Sequence, residues 1–106
     1  ISEVLLGNKI EVSHKVAKNK KSVNLVVSGQ LPNSCYKYKR YELKKRSEKN
    51  TWELRVYGDY TSGMMCLMMV VPFSFETKIK LGVKEKFPIQ IKLFEEEGRF
   101  QTISVK

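Results

Sequence analysis

The sequence predicts an all-β fold, an immunoglobulin-like two-sheet antiparallel β-sandwich of about seven strands. Three observations carry that expectation. Apolar side chains recur with a period of two along most of the chain. No stretch of about a dozen residues offers an apolar stripe at helical spacing. Turn-forming Gly, Pro and Asn residues separate the alternating runs. The 106 residues suffice for one two-layer core and not for a second, so residues 1–106 are read as a single domain. A small barrel of the oligonucleotide-binding kind is the rival architecture.

The strands follow in order. A weak one covers residues 9–16, with Ile10 and Val12 on one face, and runs into a basic turn at 17–21. Val23, Leu25 and Val27 alternate in a clearer strand over 22–28, which a turn containing Gly29, Pro32 and Asn33 closes. Residues 36–46 alternate aromatic and basic side chains, and the phase changes at Lys39-Arg40, as a β-bulge would require. After a turn at 47–50, residues 51–57 form the most regular strand. Trp52, Leu54 and Val56 point one way, while Thr51, Glu53, Arg55 and Tyr57 point the other. Together these two strands predict a hairpin. Residues 58–63 read as a loop. The long apolar stretch 64–81 reads as two strands, or one bent at Pro72, with its first part central in a sheet. Residues 87–94 and 99–105 flank a turn at 95–98 and make a terminal hairpin with Phe87, Ile89, Ile91 and Leu93 inward.

Composition excludes several functions. Twenty Lys and Arg against eleven Asp and Glu give a net charge of +9, which suits an anionic partner but also serves solubility. No apolar run reaches the roughly 18 residues of a membrane span. The sequence opens on Ile1 with no Met, which suggests that an upstream piece, such as a signal peptide or lipoprotein leader, has been removed. His14 is the single histidine and Asp59 the single aspartate, so neither a His-based triad nor a two-His metal site can be assembled. No Gly-rich phosphate loop, GxSxG or HExxH is present. The expectation is a protein that is not an enzyme, with no cofactor and no metal.

Two cysteines, Cys35 and Cys66, allow only one intramolecular pairing. A structural disulfide is the preferred reading, and two buried free thiols are the alternative. Closing a loop of this length would stabilise the fold by roughly 3–4 kcal/mol. Cys66 lies in a run of four methionines, Met64, Met65, Met68 and Met69. Their thioethers are soft donors for Cu(I), but a strand would divide them between two faces, so they are read as adaptable core filler. The strongest candidate binding surface is Tyr36, Lys37, Tyr38, Lys39, Arg40 and Tyr41, where rings could stack on bases or sugars and cations meet anionic groups.

The segments GQLPNSCY at 29–36, WELRVYG at 52–58, Met65-Cys66 and Val71-Pro72-Phe73 together resemble a loosely defined set of bacterial exported and lipoprotein domains. The resemblance covers about residues 23–81. It implies an exported β-sandwich in which Cys35 is bonded to Cys66, in the periplasm or at a bacterial cell surface. The methionine run and the high basic charge depart from that set.

The leading expectation is therefore a non-enzymatic exported structural or interaction domain of a bacterial lipoprotein or periplasmic protein. Its partner would be a protein or an acidic polysaccharide at the cell envelope, with membrane attachment only through a lipid anchor outside this chain. The alternative is an anion-binding module for single-stranded nucleic acid or acidic glycan, nucleic acid being the less favoured, through the basic-aromatic strand.

Overall fold

The computed structural model describes residues 2–46, 50–63, 65–83 and 85–106. Among these residues eight strands form two sheets: β1 (Ser2–Leu5), β2 (Ile10–Val16), β3 (Ser22–Leu31), β4 (Tyr36–Lys45), β5 (Thr51–Tyr60), β6 (Val71–Lys80), β7 (Ile89–Glu96) and β8 (Arg99–Val105). A short 3-10 turn, Gly7–Lys9, joins β1 to β2. One sheet is antiparallel, in the order β2-β3-β6, and the other holds β4, β5, β1, β7 and β8.

β3 is the middle of the smaller sheet because its alternation is clean. Val23, Leu25, Val27 and Leu31 are fully buried on the inner face, while Asn24, Val26 and Ser28 face water. β5 is the axis of the larger sheet. β4 pairs with it along one edge, and on the other edge β7 takes Thr51 to Leu54 while β1 takes Tyr57 to Tyr60. Where β1 gives way to β7 the backbones touch, and a Cβ on Gly7 would run into the Phe94 carbonyl. Only glycine fits at that junction.

The inner faces interlock through Leu6, Val23, Leu25, Val27, Leu31, Trp52, Leu54, Val56, Ile79, Ile89, Ile91, Leu93 and Val105. Burying such side chains stabilises the fold by about 1.5–3 kcal/mol each before entropy is counted. The core thus draws on both sheets, and the sandwich expectation holds.

Several local expectations are corrected. β5 and β7 pair in parallel, since the chain crosses to the other sheet as β6 between them and so reverses direction twice. The short β1 has too little alternation to be visible in sequence. β3 and β5 run past their expected ends at Ser28 and Tyr57, because Gly29 and Gly58 are strand residues. At Gly58 a Cβ would stand 2.7 Å from the Lys37 carbonyl and 2.8 Å from Leu6, so the missing side chain serves close packing and not a turn. The methionine segment is not a strand. Of the apolar stretch, only Val71–Lys80 pairs, and residues 65–70 form a loop. The expected turn at 47–50 is described only at Asn50, which has a φ of 60°; residues 47–49 and Met64 lie outside the described residues. The expected bulge is present, with the β4–β5 register shifting between Tyr38 and Arg40.

Candidate functional site

β4 carries the six residues expected to form a binding strand, and the bulge divides them. Tyr38 stacks on Phe73 and Phe75 of β6, with ring centroids 5.2 Å away in both cases. Tyr41 stacks on Phe75 at 4.6 Å and its hydroxyl meets Thr77 Oγ1 at 3.0 Å. Tyr36 lies against Tyr60 at 4.8 Å, with Lys9 Nζ 5.3 Å from its ring centroid. The rings of Tyr38 and Tyr41 close the open side of the sandwich between β4 and β6. Lys39 pairs with Glu3 at 2.9 Å, and Arg40 pairs with Glu3 at 3.0 Å and Glu42 at 3.1 Å. The hydrogen bond from Lys39 is the main reason Glu3 titrates below the usual carboxylate range. Lys37 is exposed and has no ion pair among the described residues. The six residues are therefore not one open face of stacked rings and free cations.

The outer face of the larger sheet is also internally matched. Glu53 is only 8% exposed and lies between Arg46 at 2.7 Å and Arg55 at 3.3 Å. Burial raises its pKa, but the hydrogen bonds and charges of Arg55 and Arg46 outweigh that and leave it below the usual range. The Arg55 guanidinium covers the Phe94 ring at 3.9 Å, and that of Arg40 covers Tyr57 at 4.0 Å. This ladder was foreshadowed only by the outward alternation of Glu53, Arg55 and Tyr57. It neutralises itself, which suits a structural role.

Among the described residues two groups of side chains stand out as lacking such matching, and they lie at opposite ends. At one end Cys35 and Cys66 are joined, with Cα atoms 5.3 Å apart. The bond staples residues 65–70 to the turn between β3 and β4. Ser34 completes the clamp: its N–H donates to the Leu67 carbonyl at 3.1 Å, and its hydroxyl accepts the Leu67 N–H at 2.7 Å. Beyond the clamp, Met65 is 89% exposed and Met68 91%, and Leu67, Met69 and Val70 are also exposed. The core-filler reading is wrong for Met65, Met68 and Met69, because the strand that would have buried them does not form.

The other end is cationic. The turn after β2 carries Lys18, Lys20 and Lys21, and its backbone is tied to the end of β6 by the Leu81 N–H donating to the Lys21 carbonyl at 2.8 Å. Register places Lys15 and Lys78 on either side of Asn24, and Lys80 opposite Ser22. The Tyr41–Thr77 contact fixes β4 beside β6, so Lys44, Lys45 and Arg46 reach the same end. Lys44 has Glu42 at 3.4 Å, and Arg46 has Glu53. By contrast Lys15, Lys18, Lys20, Lys21, Lys78 and Lys80 are exposed, with no carboxylate among the described residues in ion-pair range. The basic turn at 17–21 was visible in sequence. Its convergence with Lys78 and Lys80 depends on the β3–β6 register and was not.

Among the described residues no three His, Cys, Asp or Glu side chains are placed to hold a metal ion. His14 is exposed on β2, opposite Leu25. The chain matches no curated protein and no solved structure. A family model described as the ORF11 beta-sandwich domain matches residues 25–103, from within β3 to within β8. With the match spanning most of the chain, and with the two-sheet core built from the strands it covers, the chain belongs to the ORF11 beta-sandwich domain family.

Proposed function

We propose that this chain is a non-enzymatic interaction domain exported to the periplasm or surface of a bacterium. The observation that supports it best is the Cys35–Cys66 bond. Disulfides persist in oxidising compartments and are rare where glutathione keeps thiols reduced. Here the bond fixes a surface loop to the sandwich, a use that requires it to stay oxidised.

The interaction role rests on where the charges go. Carboxylates that would be candidates for general acid–base work are held in ion pairs: Glu53 by two arginines, and Glu3 by Lys39 and Arg40. Such groups are poor proton donors near neutral pH because their pKa values are lowered. What remains for a partner is the two ends of the sandwich.

Fractionation of cells producing the complete protein tests this, with maleimide added before lysis to trap free thiols. The expected result is protein in the envelope fraction with both cysteines unlabelled. Cytoplasmic protein with two labelled thiols would overturn the reading.

A further inference from the structure

We propose that the lysine end of the sandwich is a binding site for an anionic polysaccharide. The inference deepens the interaction reading above and rests on it. Six lysines, Lys15, Lys18, Lys20, Lys21, Lys78 and Lys80, converge there from the β2–β3 turn and the adjoining parts of β2 and β6. By contrast the cations of Lys39, Arg40 and Arg55, and of Arg46 at the edge of this same end, each have a carboxylate within 3.3 Å. Glu76 lies one row from Lys78 on the same face and the Glu85 carboxylate lies beside Gly82, but neither is in ion-pair range of the six lysines, so this end keeps an excess of positive charge.

The spacing suits a chain of repeated anionic units. Lys15, Asn24 and Lys78 form one row across the outer face of the smaller sheet. Neighbouring strands are about 4.8 Å apart, so the two lysine positions in that row are separated by about 10 Å. That is close to the screening length of about 8 Å at physiological salt, so their potentials reinforce one another. Between them the exposed Asn24 amide offers donors and an acceptor for a sugar hydroxyl. Lys80 and the turn lysines extend the row toward the end of the sheet.

The same end argues against single-stranded nucleic acid. Sequence-tolerant binding of bases uses exposed aromatic platforms together with cations. Here Trp52 is buried, with Lys45 Nζ 4.8 Å from its ring centroid, and Tyr41, though 37% exposed, has one face of its ring taken by Phe75. Val83 and Val26 are exposed nearby but carry no ring for a base to stack on, so charge and hydrogen bonding are the recognition groups of this surface.

The test uses the complete, disulfide-bonded protein and fluorescent polygalacturonate, with oligo(dT) as the comparison polymer, at about 50 and 200 mM salt. Polygalacturonate is expected to bind more tightly than oligo(dT), with affinity falling steeply as salt rises. Lys15→Glu and Lys78→Glu should each weaken binding by about fivefold and lower the salt slope by about 1. Asn24→Ala should weaken binding and leave the salt slope unchanged. Lys37→Glu makes the same change in net charge at the far end and should leave affinity within about twofold. No binding at the lower salt, tighter binding to oligo(dT), or equal losses from Lys37→Glu and Lys15→Glu would overturn the proposal. Unlabelled cysteines in envelope-localised protein would then still stand, so failure here is distinct from failure of the export reading.

Discussion

Tyr38 of β4 lies nearly parallel to Phe73 of β6, with the ring planes 10° apart. The two strands belong to different sheets, so this stack, with Tyr38–Phe75 and Tyr41–Phe75 beside it, closes one side of the sandwich. Tyr38→Ala should cost about 2–3 kcal/mol in urea unfolding, through lost packing and ring contacts. Tyr41→Phe, which removes only the hydroxyl bonded to Thr77, should cost about 0.5–1.5 kcal/mol. An unchanged midpoint in Tyr38→Ala would show that the rings do not hold the sheets together.

Glu53 makes stability sensitive to acid in one direction. Its folded pKa lies below its ordinary 4.5. Its contribution is therefore fully present above that value and is lost as pH falls through the lowered folded pKa. Stability measured from pH 6 downward should decline, and Glu53→Gln should flatten the part of that decline that Glu53 causes. At neutral pH the same variant should cost about 1–3 kcal/mol, because Arg46 and Arg55 lose the carboxylate they share. Parallel pH curves for the two proteins would contradict this account of the pair.

The exposed methionines should oxidise without damage to the fold. Dilute peroxide is expected to convert Met65 and Met68 to sulfoxides while circular dichroism and the unfolding midpoint stay unchanged, as measured on the modified protein. Their near-complete exposure leaves the core untouched by the added oxygen. Unfolding on oxidation would show that these side chains are packed.

Much of this architecture was legible in the sequence, and the failures have physical causes. Alternation in 22–28 identified a strand because one face is buried and the other wet, and in 51–57 because apolar and polar side chains alternate even though Thr51 and Glu53 are themselves buried. Alternation does not say which strands become neighbours, so the parallel β5–β7 pair and the end-to-end sharing of β5 by β1 and β7 were out of reach. The methionine run was misread because hydrophobicity was taken as burial, although a loop pinned by Ser34 and Cys35 can hold apolar side chains in water. The tyrosines of β4 were correctly placed on a strand, yet their partners, Phe73 and Phe75, lie in the other sheet. For the lysine end, the turn at 17–21 was seen, whereas Lys78 and Lys80 join it only through pairing at long sequence separation.

Loss of the disulfide should destabilise the domain by roughly 3–4 kcal/mol, as the loop it closes spans 31 positions. The double variant Cys35→Ser, Cys66→Ser tests this by urea unfolding against the oxidised protein. The domain should still fold, since the interlocked Leu, Ile, Val and Trp side chains are untouched and only the buried Cys35 position changes in the core, and residues 65–70 should become far more susceptible to proteolysis. Equal stability and equal proteolysis would mean that the Ser34 hydrogen bonds alone hold the loop.

The most direct test of an exported, stapled interaction domain is peptide mass mapping of the protein from its natural cells, alkylated at lysis and digested without reductant. The account predicts one cross-linked species joining the Cys35 and Cys66 peptides, with no alkylated form of either. Both peptides recovered singly and alkylated would contradict it.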